Sequence, residues 1–213
     1  MLIIGLTGSI GMGKTTVAAH MASRGVPVLD SDAAVHRLYE GEAVPHIEAV
    51  FPGTTADGKV DRAKLAAAAM QGTDGFARLE ALIHPLVRQA QWRFLQAQAV
   101  AGAPICVLDI PLLFETGGDR LVDVTVVVSA PEHVQAARVL SRPGMTAEKL
   151  AAIRARQLPD AEKRARADFV IDTGLPWEET RARVDNLLES LKDRAGEAFE
   201  RWRRLNEAGG GQR

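Results

Sequence analysis

An eight-residue glycine motif near the N-terminus constrains the fold of this chain more than any other feature. The segment Gly8-Ser9-Ile10-Gly11-Met12-Gly13-Lys14-Thr15 fits the pattern G-x-x-x-x-G-K-[ST] at every fixed position. The apolar run 2–6 precedes it and predicts a buried strand, and a helical pattern over 16–24 follows it, with Gly25 as a stop. A strand, a glycine loop and a helix in this order predict a phosphate-binding loop.

The residue types in this loop suit the binding of a polyphosphate. Glycines let the backbone curl so that successive N–H groups point inward, and the new helix adds the positive end of its dipole. Lys14 can bridge the β- and γ-phosphates, and the Thr15 hydroxyl can hold Mg²⁺. The residues expected to bind nucleotide are Gly11, Met12, Gly13, Lys14, Thr15 and Thr16. GTPases, motors, kinases and transporter subunits share such a loop, so it does not by itself give the reaction.

Four later apolar runs predict further strands, at 26–29, 105–110, 122–128 and 169–171. They are continuous rather than alternating, which is typical of parallel strands covered by helices on both faces. Helical patterns separate them, including one that begins near Pro131 and one over Trp177–Leu191. The sequence therefore predicts an α/β chain of the P-loop NTPase fold, with a doubly wound parallel five-stranded sheet.

Two segments interrupt this alternation, and they define the predicted domains. The alanine-rich stretch 32–101 is mostly helical, with a turn at Asp57-Gly58, and predicts an inserted acceptor domain. The stretch 138–166 is rich in cations and predicts a helical lid over the phosphates. The nucleotide-binding core would then comprise 1–31, 102–137 and 167–192. The charged tail 193–213 is expected to fray or to be disordered, unless Trp202 anchors it.

Composition limits the environment and the partners. The net charge is −1 in 213 residues, which gives no sign of a nucleic-acid partner, and no apolar stretch is long enough to span a membrane. The chain begins on a strand, which predicts no cleavable targeting segment. Its single cysteine, Cys106, lies in an apolar run, so a reducing cytoplasm is expected. A monomer is favoured.

Acidic residues follow two of the predicted strands. Asp30 and Asp32 lie at the end of the second strand, where the carboxyl ends of parallel strands face the ligand. One carboxylate there can orient an attacking hydroxyl and accept its proton, whereas helix capping is the alternative role. Asp32 is favoured as catalytic because it lies further along the loop, but Asp30 stays open. Asp109, at the end of the next strand, is a candidate metal ligand, and Glu115 is a candidate for the acceptor pocket.

Taken together, these stretches resemble the dephospho-CoA kinase family up to about residue 188. The resemblance rests on the order of seven elements along one chain. They are Thr7 to Thr15, Asp30-Ser31-Asp32, Gly58 with Arg62 and Leu65, His84-Pro85, Pro111-Leu112-Leu113-Phe114-Glu115, the lid series Gln135, Arg138, Arg142 and Gln157, and Ala167 to Asp172. There are two departures: Thr173 stands where the family usually has asparagine, and the lid turn Arg142-Pro143-Gly144-Met145 is more rigid than usual.

The resemblance implies transfer of the ATP γ-phosphate to the ribose 3′-hydroxyl of dephospho-CoA, with ATP and Mg²⁺ as cofactors. It implies catalytic roles for Asp32, Lys14, Arg138 and Arg142. It further implies that Asp32, His84, Leu113 and Glu115 bind the acceptor, and that Thr15 and Asp109 hold the metal.

Three other functions remain to be weighed. A nucleoside, nucleotide or shikimate-type kinase would share the loop and the lid. A regulatory GTPase would need a guanine-reading N-K-x-D sequence, and the last strand is instead followed by Thr173-Gly174. A non-catalytic nucleotide-binding module would have little use for the acidic pair and the arginine-rich lid.

Overall fold

The computed structural model describes residues 1–71 and 74–210, and residues 211–213 of the predicted tail lie outside the described residues. The chain divides into two compact units, Met1–Leu29 with Ala97–Arg213, and Asp30–Gln96. The smaller unit overlaps the predicted insertion at 32–101, whose part in acceptor binding stays a prediction. Among the described residues, no helix is both long enough and apolar enough to cross a bilayer.

The elements follow the predicted alternation. The strands are β1 (Leu2–Thr7), β2 (Val28–Asp30), β3 (Thr55–Ala56), β4 (Lys59–Val60), β5 (Ile105–Asp109), β6 (Val124–Ser129) and β7 (Phe169–Asp172). The helices are α1 (Lys14–Ser23), α2 (Ser31–Tyr39), α3 (Val44–Val50), α4 (Arg62–Ala69), α5 (Gly75–Val100), α6 (Glu132–Leu140), α7 (Ala147–Arg154), α8 (Asp160–Arg166), α9 (Trp177–Leu191) and α10 (Ala198–Gly210). A short 3₁₀ turn occupies Gly118–Leu121.

Five of the strands form one sheet in the order β2-β5-β1-β6-β7. The central strand β1 pairs in parallel with β5 and with β6, and β6 pairs in parallel with β7. Strands β1, β5 and β6 are buried along their whole length because helices cover both faces of the sheet. The predicted doubly wound parallel sheet of five strands is confirmed.

One face of the sheet packs against α1 and α9. Val17 and Met21 of α1 and Val184 and Leu188 of α9 join the strand side chains in one apolar core. The continuous strands and the amphipathic helices thus serve one purpose: they fix the carboxyl ends of β1 and β5, where the glycine loop and Asp109 lie.

The expected disorder of the tail is wrong for residues 198–210, which form α10. Trp202 is only 2% exposed, and its indole N–H donates to the Leu121 carbonyl at 2.8 Å. Asp123 caps the helix by accepting the backbone N–H groups of Glu197 and Ala198, each at 2.7 Å. These distant partners stabilise a helix in which charged residues occupy five of the 13 positions.

The smaller unit has its own apolar core, formed by Leu38, Ala43, Ile47, Phe51, Val60, Leu65, Ala69 and Ile83. Strands β3 and β4 form a hairpin around the predicted turn, where Asp57 and Gly58 have φ of 52° and 73°. Both angles are positive, as a two-residue hairpin turn with the twist of its strands requires. Helix α5 continues through Pro85, which removes one helical hydrogen bond.

Candidate active site

The glycine loop connects β1 to α1 and is shaped by residues with positive φ. Gly11 and Gly13 have φ of 76° and 85°, a region that other residues rarely adopt. Gly13 is the N-cap residue of α1, and no side chain caps that helix end. The first N–H groups of α1 therefore face the loop, as a phosphate site requires.

The loop also packs against its neighbours too closely for larger residues. A Cβ built on Gly8 would lie 2.7 Å from the Val128 carbonyl oxygen of β6. One built on Gly11 would lie 2.5 Å from Cγ2 of Val139, in α6. The glycines are thus required both for backbone conformation and for space, and they leave a concave surface of backbone N–H groups.

Lys14 and Asp109 form an ion pair at the carboxyl edge of the sheet. Asp109 ends β5 and is almost fully buried, and the Lys14 side chain is 15% exposed. The structure therefore brings together the predicted phosphate-binding cation and the predicted metal ligand. The side chains of Thr15 and Thr16 lie exposed on the first turn of α1.

This donor set fits a nucleoside triphosphate with Mg²⁺. The loop supplies backbone donors and one ammonium group, and Thr15 and Asp109 supply the hydroxyl and carboxylate oxygens that Mg²⁺ accepts. Within the two described stretches, no three His, Cys, Asp or Glu side chains cluster as a dedicated metal site. Mg²⁺ in such sites commonly takes only one or two protein oxygens beside the phosphates.

Of the two predicted catalytic lid arginines, Arg138 is connected to the glycine loop through Thr173. The Arg138 guanidinium donates to the carbonyl of Thr173 at 2.7 Å and to its hydroxyl at 3.3 Å. The Thr173 hydroxyl in turn donates to the Met12 carbonyl at 2.7 Å. Thr173, at the position where the sequence departs from the family, thus connects the loop to Arg138. Arg142 is exposed beyond the end of α6.

Two glutamines, one in α6 and one just after α7, contact the loop, and Arg154 contacts one of them. Gln157 accepts the Ile10 N–H at 3.2 Å, and Gln135 donates to the Ile10 carbonyl at 2.7 Å. Arg154 donates to the Gln135 side chain and pairs with Glu132 at 2.7 Å. The resemblance placed the two glutamines in a lid pattern, but sequence spacing does not show that they meet the same peptide.

Glu115, predicted to bind the acceptor, is held by the lid segment. Its carboxylate lies 2.9 Å from the ammonium group of Lys163, which is fully buried, and accepts the Leu158 N–H at 2.9 Å. Burial raises the pKa of Glu115, but Lys163 and the Leu158 N–H more than offset this, and the pKa lies below its usual value. Lys163 lies in the cation-rich stretch that was predicted to form a lid, but its burial against Glu115 gives it a structural role.

The structure assigns different surroundings to the other predicted acceptor residues. Leu113 is fully buried, and a Cβ on Gly5 of β1 would lie 2.9 Å from its Cδ2, so its side chain belongs to the core. In the smaller unit, His84 is exposed on α5. Asp30 caps α2 by accepting the Ala33 N–H at 3.0 Å. Asp32 is exposed on the first turn of that helix.

A cavity of about 320 Å³ opens between the glycine loop, α6 and the lid. Its lining comprises Ser9, Met12, Glu132, Gln135, Arg154, Gln157, Leu158, Pro159 and Asp160. The lining combines polar and charged side chains with the apolar Met12, Leu158 and Pro159, so the space suits a ligand with both polar and apolar parts.

Known proteins with similar sequences point to one family. The family model for dephospho-CoA kinase matches residues 2–176. A dephospho-CoA kinase of Mesorhizobium japonicum is 59% identical over 92% of this chain and all of its own length. One from Brucella melitensis is 52% identical over 93% of this chain and 99% of its own.

Solved structures agree on the fold. The Thermus thermophilus protein TT1252 has a TM-score of 0.78 and 36% identity over 92% of this chain and 98% of its own. A dephospho-CoA kinase from Campylobacter jejuni has a TM-score of 0.68 over 89% of this chain and 96% of its own, and its 22% identity supports the fold alone. Together with the glycine loop, the family model and the curated relatives establish that this chain belongs to the dephospho-CoA kinase family.

Proposed function

We propose that this chain transfers the γ-phosphoryl group of ATP to the ribose 3′-hydroxyl of dephospho-CoA, giving CoA and ADP in the cytoplasm, as a monomer. The observation that carries the proposal is the closely packed glycine loop with the Lys14–Asp109 ion pair beside it, in a chain of this family. A loop of this kind holds a polyphosphate, and the family supplies the acceptor.

The glycine loop would bind the β- and γ-phosphates through the N–H groups of Gly11, Gly13, Lys14 and Thr15, with the Lys14 ammonium group between the two phosphates. The N–H groups of Met12 and Thr16 donate to the Ser9 and Gly13 carbonyls, each at 3.1 Å. Thr15 and Asp109 would hold Mg²⁺, which offsets the charge that develops on the phosphate oxygens. Catalysis of this kind depends mostly on position and electrostatics. The close packing behind Gly8 and Gly11 supports this role because it fixes the donors before the substrate arrives.

Asp32 would orient the ribose hydroxyl and accept its proton. The hydroxyl oxygen then bonds to the γ-phosphorus, the bond from that phosphorus to the bridging oxygen breaks, and ADP leaves. The contacts of Asp30 support the choice of Asp32, since Asp30 already caps α2. Asp32 lies on the same helix with its carboxylate exposed.

Arg138 and Arg142 would offset the charge of the transferring group, and Arg138 is already tied to the loop through Thr173. In this proposal His84, Leu113 and Glu115 bind the acceptor. The contacts of Glu115 with Lys163 and Leu158 give it a second role in holding the segment 158–163. Leu113 is buried with its backbone, and its carbonyl accepts the Gly118 N–H at 2.8 Å, so it would support the acceptor site from the core.

The direct test is ADP release by the purified chain with ATP, Mg²⁺ and dephospho-CoA, with the product identified by mass. Adenosine, nucleoside monophosphates and shikimate serve as alternative acceptors. Turnover that depends on dephospho-CoA supports the proposal, whereas turnover only with another acceptor contradicts it. Replacing Lys14 by alanine should lower kcat by roughly 100-fold or more, as the loss of a charge-stabilising donor does in other enzymes.

The two aspartates provide a matched pair for the role of the base. Asp32→Asn should lower kcat by roughly 100-fold or more with little change in the melting temperature, because it removes the proton acceptor. Asp30→Ala should instead lower stability by about 1 kcal/mol, because it removes a helix cap. If Asp30→Ala loses turnover and Asp32→Asn keeps it, the assignment of the base is reversed.

A further inference from the structure

The peptide groups on both sides of Ile10, in the glycine loop, are held by two glutamines. The N–H of Ile10 donates to the Gln157 side chain at 3.2 Å, and its carbonyl accepts from the Gln135 side chain at 2.7 Å. Gln135 is only 4% exposed. Its own oxygen accepts a hydrogen bond from Arg154, which fixes the amide with its nitrogen toward Ile10.

Ile10 occupies the second position of a tight turn. The Met12 N–H donates to the Ser9 carbonyl at 3.1 Å, which closes a four-residue turn over 9–12. Gly11, at the third position, has φ of 76°, and among the described residues Asp57 alone is a non-glycine with positive φ. A hydrogen-bonded turn with positive φ at its third position only is of type II.

The orientation of the central peptide of such a turn decides where the next N–H points. Type I and type II turns differ chiefly in the rotation of this peptide. Because a trans peptide is planar, its C=O and N–H point in opposite directions. With the Ile10 carbonyl turned toward Gln135, the Gly11 N–H is directed away from α6.

We infer that Gln135 and Gln157 are positioning residues that hold the Ile10 peptides so that the Gly11 N–H faces the polyphosphate. Gln135 sets the direction of the Gly11 N–H. Gln157 connects Ile10 to the segment that follows α7. The inference rests on the proposed use of ATP by this loop. It adds an account of how the lid and the loop are linked, through side chains that would not themselves touch the nucleotide.

Two substitutions of the same type separate the roles of the hydrogen bonds. Gln135→Glu cannot donate to the Ile10 carbonyl and places a carboxylate against it. Gln157→Glu still accepts the Ile10 N–H. Both variants add one negative charge next to the same residue, so the repulsion of the triphosphate is largely common to them. A difference in ATP affinity between the two variants therefore measures the effect of losing the Gln135 donor.

The assay measures binding of ATP and of AMP to each purified full-length variant by calorimetry, together with the melting temperature. AMP lacks the β- and γ-phosphates that the loop would hold, so its affinity serves as an internal reference. The ATP-to-AMP affinity ratio should fall by about tenfold more in Gln135→Glu than in Gln157→Glu, the size expected for one buried hydrogen bond. Gln135→Met, which removes the donor without adding charge, should lower this ratio in the same direction.

Equal ratios in the two glutamate variants, or an unchanged ratio in Gln135→Met, would overturn the inference. A lower melting temperature with the ratio preserved would also overturn it, because the glutamines would then only fasten the lid. If the parent chain binds ATP no better than AMP, the proposed function fails and the inference fails with it. If the parent prefers ATP and the variants keep that preference, the inference fails alone.

Discussion

Replacing Gly11 by alanine tests whether the glycine loop needs its close packing as well as its backbone conformation. An L-residue in this left-handed conformation costs roughly 1–2 kcal/mol. The new Cβ would also lie 2.5 Å from Cγ2 of Val139 and 3.1 Å from the Gln135 carbonyl oxygen. Carbon atoms pack at about 3.5 Å or more, so the loop or α6 has to move by about 1 Å.

Gly25 offers a matched control, because its φ of 82° is similar and nothing lies within 4 Å of its Cβ position. Gly25→Ala should therefore carry only the conformational cost, lowering the melting temperature by roughly 2–4 °C for each kcal/mol. Gly11→Ala should add an overpacking cost of about 1–3 kcal/mol. The larger effect should be on catalysis, since a misplacement of about 1 Å lowers the rate by roughly 100-fold.

The assay compares kcat/KM for ATP and the melting temperature of the two variants and the parent. Gly25→Ala should keep the parent's kcat/KM while losing stability. The reasoning is refuted if Gly11→Ala retains kcat/KM within about threefold of Gly25→Ala, the tolerance that we set well below the roughly 100-fold loss expected from misplacement. That result would mean that the loop does not depend on contact with α6.

Four further predictions concern buried groups. Lys163→Met should destabilise the fold by about 3–5 kcal/mol in denaturant unfolding, because it leaves the Glu115 carboxylate without its cation, and adding Glu115→Gln should recover part of this loss. The lowered pKa of Glu115 stabilises the fold above pH 4.5, and this contribution is lost as the pH falls through the pKa of the folded state. The stability of Glu115→Gln should therefore fall less steeply with acid than that of the parent. An identical acid profile of the two chains would count against the ion pair. Trp202→Ala should cost about 3–5 kcal/mol of stability, with specific activity retained, and a near-zero change would show that α10 is not anchored. Burial raises the pKa of Cys106 to about 12, so iodoacetamide at pH 8 should label this thiol only after unfolding, and rapid labelling of the native chain would contradict the burial.

Local pattern was sufficient to predict the parts of the fold whose partners are close in sequence. The bounds of α9 agree with the prediction, and the Asp57-Gly58 turn forms the hairpin. The glycine loop was predictable because strand, loop and helix are contiguous. In each case the residues that decide the structure lie close together in the sequence.

The features that sequence analysis missed depend on distant partners. The Trp202 indole bonds to a carbonyl 81 residues away, so composition alone made α10 resemble a disordered tail. Lys163 stands in a run of lid cations, yet it is buried against Glu115, 48 positions earlier in the chain. The glutamines that meet at Ile10 come from α6 and the lid, and no periodicity connects them to the loop. Such pairings become visible only when the chain is folded.

The position of β1 in the sheet has a consequence for the newly made chain. β1 is the central strand, but Leu2 pairs with Ile105 of β5, and Ile4 pairs with Val124 of β6. At a synthesis rate of roughly 5–20 residues per second, the first partner strand appears about 5–20 s after β1. During that interval a mostly apolar strand has neither of its neighbours. The strand that precedes the glycine loop is therefore exposed to aggregation during translation until β5 and β6 have been made.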